Sequence, residues 1–273
     1  MLFALPFPVI DPVLVNLGPL PIRWYALAYV AGIVAGWLYA KRLCATEGLW
    51  RGRPHPTPDS IDDLVVYVAL GIVVGGRLGY VLFYNLPFYL EHPFEIPAVW
   101  KGGMAFHGGL AGAVLGFVLF ARRVGANAFS VADIVAAGVP VGLFCGRVAN
   151  FIKPELWGRE TDVPWGMVFP GAGPLPRHAS QLYEAGLEGA VLFVVLAVLI
   201  RRGALGRPGL VAGWFGIGYG LARIACEFFR QPDAQLGFLF GGATMGMLLS
   251  LPVIAAGAFC VAHATRSGPA PAA

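Results

Sequence analysis

Long apolar runs, separated by short polar segments, recur along the whole chain. Most of these runs approach the length of about 20 residues that a helix needs to cross the hydrocarbon core of a bilayer. Glycine and proline occur inside several runs, which membrane helices tolerate because neighbouring helices satisfy the freed backbone groups. The pattern predicts seven membrane-spanning helices, over residues 22–39, 61–83, 106–120, 131–151, 182–200, 210–229 and 244–263.

The composition of the 273 residues agrees with this pattern. Hydrophobic residues make up 58% of the chain and charged residues 12%, whereas a soluble domain has about 45–50% and about 25%. So little charge cannot cover a soluble surface, and so much apolar character excludes a disordered chain. A net charge of +4 without a basic tract gives no reason to expect a nucleic-acid partner. The chain is therefore predicted to be an all-α, polytopic membrane protein.

Basic residues in the connecting loops predict the orientation in the membrane. The loops after the first, third, fifth and seventh spans hold ten of the 19 Lys and Arg residues, and the opposite side holds six. The ten are Lys41, Arg42, Arg51, Arg53, Arg122, Arg123, Arg201, Arg202, Arg207 and Arg266. The positive-inside rule assigns the richer side to the cytoplasm. The N-terminus is then outside and the C-terminus cytoplasmic.

The loops on the predicted outer side are the longer ones and are rich in Gly, Pro and Trp. Segments 84–105 and 152–180 are predicted to form a small cap outside the membrane, where such aromatic residues suit the interface. Residues 1–266 then form a single integral-membrane domain. Residues 267–273 are predicted to be a short disordered tail.

Polar side chains inside the spans are costly to bury and therefore mark a functional site. Arg147 and Asn150 lie three residues apart in span four, and Tyr219, Arg223 and Glu227 follow at four-residue intervals in span six, so each group shares one helix face. The other polar residues at the same depth are Arg23, Tyr25, Arg77, Tyr80, His107, Gln181, Tyr183, Glu184 and Glu188. All fall in the outer half although the helices alternate in direction. This predicts one polar cavity toward the outer leaflet.

Three arginines in that cavity, Arg77, Arg147 and Arg223, require an anion. Glu155 and Glu227 neutralise part of their charge, and one interpretation is that Arg147–Glu155 and Arg223–Glu227 are purely structural ion pairs. A guanidinium binds phosphate through a planar fork of donors. Because the nearest abundant phosphate in a membrane is a phospholipid headgroup, we expect an anionic lipid to bind here.

His107 lies in the glycine-rich segment WKGGMAFHGGL, residues 100–110. Glycine on both sides allows a ligand or another backbone to approach closely, and a neutral histidine serves as a general base. The alternative is that His107 only caps a helix at the interface. The chain contains no HExxH motif and no paired cysteines, and no predicted span holds a His–carboxylate cluster at helical spacing. We therefore expect no metal ion and no other cofactor.

The segment GRVANFIKPELWGR, residues 146–159, is similar to the signature segment of the prolipoprotein diacylglyceryl transferases. Five further segments match that family in the same order. They are IRWYALAY (22–29), GGRLGYVLFYN (75–85), GGMAFHGG (102–109), RHASQLYE (177–184) and YGLARIACEFFRQPDAQLG (219–237). Three positions depart from the family: Lys153 replaces the usual Asn, Ala179 the usual Pro, and Ala26 a frequent Gly. Because Lys153 lacks the amide, we assign no polar role to position 153.

The resemblance implies an enzyme of the bacterial inner membrane that acts on the outer face. It would transfer the diacylglyceryl group of phosphatidylglycerol to the thiol of the lipobox cysteine in a secreted prolipoprotein. The products would be a thioether-linked lipid and glycerol 1-phosphate, in the first step of bacterial lipoprotein maturation. The implied partners are phosphatidylglycerol, lipobox signal peptides and the bilayer.

The resemblance also implies roles for individual residues. The sulfur must attack as a thiolate, which His107 would produce as a base or the arginines would favour through their positive field. Arg147 and Arg223 would stabilise the leaving phosphate. The predicted catalytic set is His107, Arg147, Tyr219 and Arg223. The predicted substrate-binding set is Tyr25, Arg77, Asn150, Glu155, Gly158, Glu227 and Arg230.

Two other classes of protein compete with this interpretation. A transporter or flippase for an anionic lipid or solute would also use an arginine-lined cavity, but transporters usually show internal repeats and a site at the midplane of the membrane. A structural membrane scaffold would not require the polar residues at all. The off-centre cavity and the apolar inner half favour an enzyme.

Overall fold

The mostly helical architecture is confirmed by the computed structural model of the chain, which describes residues 4–8, 10–232 and 237–266. Its helices are α1 (Trp24–Ala45), α2 (Ser60–Phe83), α3 (Leu86–Glu91), α4 (Phe106–Arg123), α5 (Ala128–Ile152), α6 (Ser180–Glu184), α7 (Leu192–Arg201), α8 (Leu210–Glu227) and α9 (Met245–Arg266). Short 3₁₀ turns lie at Glu47–Leu49, Pro93–Glu95, Val99–Lys101, Ala204–Gly206 and Phe240–Gly242. The π-helical segment Ala185–Val191 joins α6 to α7. The tail predicted at residues 267–273 lies outside the described residues.

The apolar runs of the sequence correspond to long helices. Four helices of the described chain are long and apolar enough to cross a membrane: Ser60–Phe83, Ala128–Ile152, Ser180–Arg201 and Met245–Arg266. Large apolar side chains on these helices are exposed, such as Leu70 on α2 and Leu251 on α9. A surface of this kind requires an apolar solvent. The structure is that of a multi-pass membrane protein.

A β-hairpin precedes the first long helix. Strand β2 (Val13–Leu17) pairs antiparallel with β3 (Leu20–Arg23), and Gly18 occupies the turn with φ +60°, a conformation that glycine adopts without steric cost. The all-α prediction missed this hairpin. It also placed the start of the first span at Ile22, whereas Ile22 and Arg23 pair with β2 and the helix begins at Trp24.

Helix α2 packs along α4 with direct backbone contact. Glycines recur at four-residue intervals on the two facing surfaces: Gly71, Gly75 and Gly79 on α2, and Gly108, Gly112 and Gly116 on α4. A Cβ atom added at Gly112 would overlap the carbonyl group of Gly71. Small residues allow membrane helices to approach in this way. The remaining closely packed pairs are α1 with α5 and α8 with α9.

One end of the bundle is a dense apolar core. It forms where α1, α4 and α7 end and where α2, α5 and α8 begin, which is the end that the sequence assigns to the cytoplasm. Among its fully buried side chains are Trp50, Ile61, Phe120, Ile134, Leu196, Ile200 and Leu205. Such packing holds six helices together at this end.

A buried carboxylate lies at the apolar end. Asp133 of α5 accepts hydrogen bonds from the backbone N–H groups of Gly209, at 2.8 Å, and Ala212, at 2.7 Å, at the start of α8. These groups have no partner within their own helix, so an acceptor from another helix stabilises them. Asp133 is thus a buried carboxylate in the half of the bundle that the sequence pattern describes as apolar, and that pattern did not single it out.

The two long loops lie at the opposite end of the bundle. In the loop 152–180, strand β4 (Met167–Val168) pairs in parallel with the N-terminal strand β1 (Leu5–Pro6). The loop 84–105 is organised by Arg77, which is buried in α2. Its guanidinium donates to the backbone carbonyls of Glu95, Ile96, Gly102 and Gly103.

Replacing Gly112 by Ala is expected to separate α2 from α4 and to lower the free energy of unfolding by at least about 1–3 kcal/mol. The added Cβ would overlap backbone atoms that cannot move independently. The matched control is Gly142→Ala, since a Cβ at Gly142 meets no atom within 4 Å. Thermal unfolding in detergent measures both. Equal stability of the two variants would contradict the close approach of α2 and α4.

Candidate active site

The polar end of the bundle gathers the charged side chains of α5, α6, the π-helical segment and α8. We define the arginine–glutamate cluster as Arg147, Glu184, Glu188, Arg223, Glu227 and Arg230. Glu184 and Glu188 are completely buried, and Arg147 and Arg223 keep only 17% and 11% of their side chains exposed. The predicted convergence of Arg147, Arg223 and Glu227 at one end of the bundle is what the structure shows.

The two arginines share the two buried glutamates. Arg147 Nε lies 3.0 Å from Glu184 Oε2, and its Nη2 lies 3.4 Å from Glu188 Oε2. Arg223 Nη1 lies 2.6 Å from Glu184 Oε1 and 3.6 Å from Glu188 Oε1. Each glutamate therefore connects α5 with α8. Removing any one partner would leave an uncompensated buried charge.

The third glutamate, Glu227, is anchored at the end of α8. Its Oε1 lies 2.5 Å from Arg223 Nη2 and 3.6 Å from Arg230 Nη1, and its Oε2 accepts the hydroxyl hydrogen of Thr244 at 2.6 Å. The predicted Arg223–Glu227 pair is thus present. Arg159 supports the same turn from the loop, because its guanidinium donates to the backbone carbonyls of Glu227 and Arg230.

The π-helical segment Ala185–Val191 brings the two buried glutamates against α5. Gly189 packs directly on Phe144, where a Cβ atom would lie 2.7 Å from the Phe144 Cβ. The wider helix and the missing side chain let Glu184 and Glu188 reach Arg147. Such π-helical segments are frequent at functional sites.

A second polar group lies at the C-terminal end of α5, and it corrects one predicted ion pair. Glu155 does not contact Arg147: its Oε1 accepts from Asn150 Nδ2 at 2.9 Å, and its Oε2 lies 2.7 Å from Lys153 Nζ. Arg147 is already engaged by the helix that follows. The Lys153 ammonium also lies 5.6 Å from the centre of the Tyr25 ring. Position 153 therefore does have a polar role.

Tyr219 borders the arginine–glutamate cluster, whereas Tyr25 lies beside Lys153 in the second polar group. The Tyr25 hydroxyl lies 3.2 Å from that of Tyr29, one turn later in α1. Tyr219 lies one turn before Arg223, stacks on Phe215 and is close enough to interact electrostatically with Glu188 and both arginines. Both rings therefore place hydroxyl groups near the charged residues.

Gly158 acts as a packing point rather than a polar contact. Its N–H donates to the carbonyl of His178 at 2.8 Å, and its backbone pairs with Arg230. A Cβ at this position would lie 2.5 Å from the Phe229 carbonyl oxygen and 2.6 Å from that of His178. Only glycine lets the loop lie this close to the residues that follow α8.

His178 and Tyr183 form an aromatic group at the edge of the site. Tyr183 accepts a hydrogen bond from Trp165 Nε1 at 2.8 Å, and its hydroxyl lies 3.1 Å from His178 Nδ1. Partial burial lowers the pKa of His178. The imidazole is therefore neutral near pH 7, which suits acceptance of the tyrosine hydrogen. This group lies at the start of α6, which begins at Ser180, four residues before Glu184.

Two predicted site residues lie apart from the cluster. Arg77 directs its donors to the loop carbonyls described above and contacts the Tyr89 ring. His107 is exposed in the first turn of α4, where it contacts the Phe106 ring. Within the described residues, no hydrogen bond or ion pair connects His107 with the arginine–glutamate cluster.

Sequence reasoning recognised Glu184 and Glu188 as polar residues at the right depth but gave them no role. The two glutamates are four residues apart in an otherwise apolar run. The same spacing singled out Tyr219, Arg223 and Glu227, so it could have indicated a role for Glu184 and Glu188 as well. With these partners, the cluster holds three arginines and three glutamates. An anion that enters it must therefore compete with a carboxylate that is already in place.

Comparisons with known proteins agree with the motifs. Residues 12–263 match the family model described as prolipoprotein diacylglyceryl transferase. A protein of Methylocella silvestris named phosphatidylglycerol–prolipoprotein diacylglyceryl transferase is 65% identical over 272 residues, which cover 100% of both chains. A protein with that name from Beijerinckia indica is 64% identical, and the alignment covers 97% of both chains. Another from Nitrobacter hamburgensis is 57% identical over 98% of this chain and 93% of the relative.

Replacing Glu184 by Ala is expected to lower the free energy of unfolding by about 3–5 kcal/mol, because it leaves Arg147 and Arg223 with a surplus of buried positive charge. The control is Glu160→Ala, which removes an exposed ion pair with Arg177 and should change stability by less than about 1 kcal/mol. Unfolding midpoints in detergent measure both. A small effect of E184A would show that the buried contacts do not hold α5 and α8 together.

Proposed function

The chain belongs to the prolipoprotein diacylglyceryl transferase family, and we propose that the arginine–glutamate cluster is the place where it performs the family's reaction. The enzyme transfers the diacylglyceryl group of phosphatidylglycerol to the thiol of a prolipoprotein cysteine. A thioether forms, and glycerol 1-phosphate leaves. The bacterial inner membrane supplies the lipid and holds the multi-pass enzyme.

The observation that supports this placement is the pair of guanidinium groups on facing helices. Arg147 and Arg223 approach each other through shared carboxylates, and both remain partly exposed while those carboxylates are fully buried. An arriving phosphate would therefore meet arginine nitrogens before it meets glutamate oxygens. Guanidinium donors fixed in a low-dielectric site stabilise the negative charge that grows on a leaving phosphate.

The remaining site residues are proposed to bind the lipid or to support the arginines. Tyr219, Tyr25 and Asn150 supply neutral hydrogen-bonding groups for the glycerol hydroxyls. Glu155 holds Asn150 and Lys153 in place. The others act through the fold: Arg230 and Glu227 orient Arg223, Gly158 allows the loop to approach, and Arg77 shapes the loop 84–105.

We propose that all seven long helices cross the membrane, with the N-terminus outside and the C-terminus in the cytoplasm. In this orientation the apolar core lies at the cytoplasmic end, and the cluster lies toward the outer leaflet. The loops 84–105 and 152–180 then form a periplasmic cap. A secreted prolipoprotein reaches the site from that side, and the lipid reaches it from the outer leaflet.

The thiol must lose its proton before it attacks. A free thiol has a pKa of about 8.5, so few molecules are ionised near neutral pH. We propose His107 as the base that removes the proton, since its exposed imidazole is accessible to a peptide that approaches along α4. The alternative is that the positive field of Arg147 and Arg223 alone favours the thiolate.

Replacing Arg147 by Ala is expected to reduce diacylglyceryl transfer by at least about a hundredfold, because a preorganised donor to the leaving phosphate is lost. The assay mixes purified enzyme, phosphatidylglycerol vesicles and a lipobox peptide, and follows the mass gain on the cysteine. Arg122→Ala, at the opposite end of the bundle, is the control and should transfer normally. Full activity of a correctly inserted R147A would exclude the proposed phosphate site.

Replacing His107 by Asn distinguishes the two ways to form the thiolate. If His107 is the base, H107N should be slower by about 10²–10⁴-fold at neutral pH. Its rate should then rise about tenfold per pH unit until the thiol ionises near pH 8.5, because the thiol must then lose its proton to the solvent. His92→Asn is the control. A pH–rate profile of H107N that matches the unmodified enzyme favours the arginine field.

A further inference from the structure

The three glutamates of the arginine–glutamate cluster are not equally well held. Glu227 has contacts of 2.5 and 2.6 Å, and Glu184 has contacts of 2.6 and 3.0 Å. The contacts of Glu188 with the arginines are 3.4 and 3.6 Å. Glu184 Oε2 and Glu188 Oε1 accept no hydrogen bond from the described residues. Only Glu188, however, combines complete burial with two long contacts.

The surroundings of Glu188 are set by two neighbouring helices and its own segment. Arg147 faces it from α5; Tyr219, Arg223 and Cys226 face it from α8; and Glu184 lies one turn before it. The two arginines are the only groups in this set that bear a positive charge. Both are the groups to which a phosphodiester would bind, so the ligand and Glu188 would compete for the same nitrogens.

The charges of the cluster cancel before the lipid arrives. Three arginines face three glutamates, and a phosphodiester adds one negative charge. A buried carboxylate that loses its cationic partner is strongly destabilised in its charged form. Of the three glutamates, Glu188 loses the least ion-pair energy when it is protonated, since its contacts with the arginines are the longest. Proton uptake by Glu188 would restore neutrality when the lipid is bound.

We propose that Glu188 is the proton carrier of the transfer reaction: it takes up one proton when the lipid phosphodiester binds to Arg147 and Arg223, and it donates that proton to the leaving phosphate. This inference rests on the proposed function of the cluster. It gives Glu188 a catalytic role, because its carboxyl group would contact the phosphate oxygen once the bound lipid has taken the place of Glu188 on the two arginines.

The proton and charge balance of the step is complete. The thiolate sulfur forms a bond to the glycerol carbon, and the bond between that carbon and the phosphate oxygen breaks with its electron pair on oxygen. The phosphate would change from a diester with one negative charge to a monoester with two. Glu188 transfers its proton to this oxygen, so the product leaves as a monoanion. The carboxylate then returns to Arg147 and Arg223, while the thiol proton has gone to the base and the solvent.

The first measurement uses the unmodified enzyme. Phosphatidylglycerol in nanodiscs of zwitterionic lipid is added to the enzyme in weakly buffered solution at neutral pH, and an indicator dye reports the proton balance. We expect an uptake of about one proton per phosphatidylglycerol bound, and none with phosphatidylcholine alone. Binding of phosphatidylglycerol without proton uptake would overturn the proposal even if no variant folds.

The second measurement compares Glu188→Gln with Glu160→Gln, which alters an exposed ion pair in the loop. E188Q is expected to bind phosphatidylglycerol at least as tightly as the unmodified enzyme, to take up no proton, and to transfer at least about a hundredfold more slowly. E160Q should match the unmodified enzyme in all three. A structural role for Glu188 alone would weaken binding together with transfer.

The outcomes separate this proposal from the one on which it rests. If the unmodified enzyme transfers and E188Q transfers equally fast, the proton carrier is excluded while the active site stands. If R147A transfers normally, the cluster is not the active site. The role of Glu188 as proton carrier is then excluded together with the site. Tight binding by E188Q together with slow transfer supports both.

Discussion

Two carboxylates on one helix, Glu184 and Glu188, face the guanidinium groups of Arg147 and Arg223 on two other helices. The carboxylates are completely buried, and the guanidinium groups keep only a small exposed fraction. Each charge is tolerable at this depth only because the others are present. The contacts fix the rotation of α5, of the helix Ser180–Arg201 and of α8 about their axes. The position of every other site residue on these helices follows from that rotation.

Close helix approach is the second condition for the site. Gly189 lets the π-helical segment lie against Phe144, and Gly158 lets the loop pass beside Phe229 and His178. A side chain at either position would overlap these neighbours and push apart the segments that carry the charged residues. The glycine content of the chain therefore serves electrostatics as well as packing, since short ionic contacts in the membrane require backbones in contact.

Much of the fold and of the site could be predicted because hydropathy and depth are local properties. The apolar runs placed the long helices, and the depth of Arg147, Asn150, Tyr219 and Arg223 placed them together. The pairing of charged residues is not a local property. Arg147 pairs with Glu184 rather than with Glu155, next to the π-helical segment Ala185–Val191. No pattern in the sequence predicts that segment. The hairpin before α1 was missed because its strands are as apolar as the span that follows. Lys153 was misjudged because its contact with Glu155 depends on the turn after α5.

The two ends of the bundle respond differently to force. Pulling apart the end around Trp50, Phe120 and Leu205 exposes close-packed apolar surface with nothing to replace the lost contacts. At the other end, a phosphate oxygen can take the place of a carboxylate oxygen on the same guanidinium, one contact for one. We therefore expect the end with the apolar core to be stiff and the end with the arginine–glutamate cluster to be more compliant. A lipid that enters between the helices at the polar end would separate them there and leave the apolar end packed.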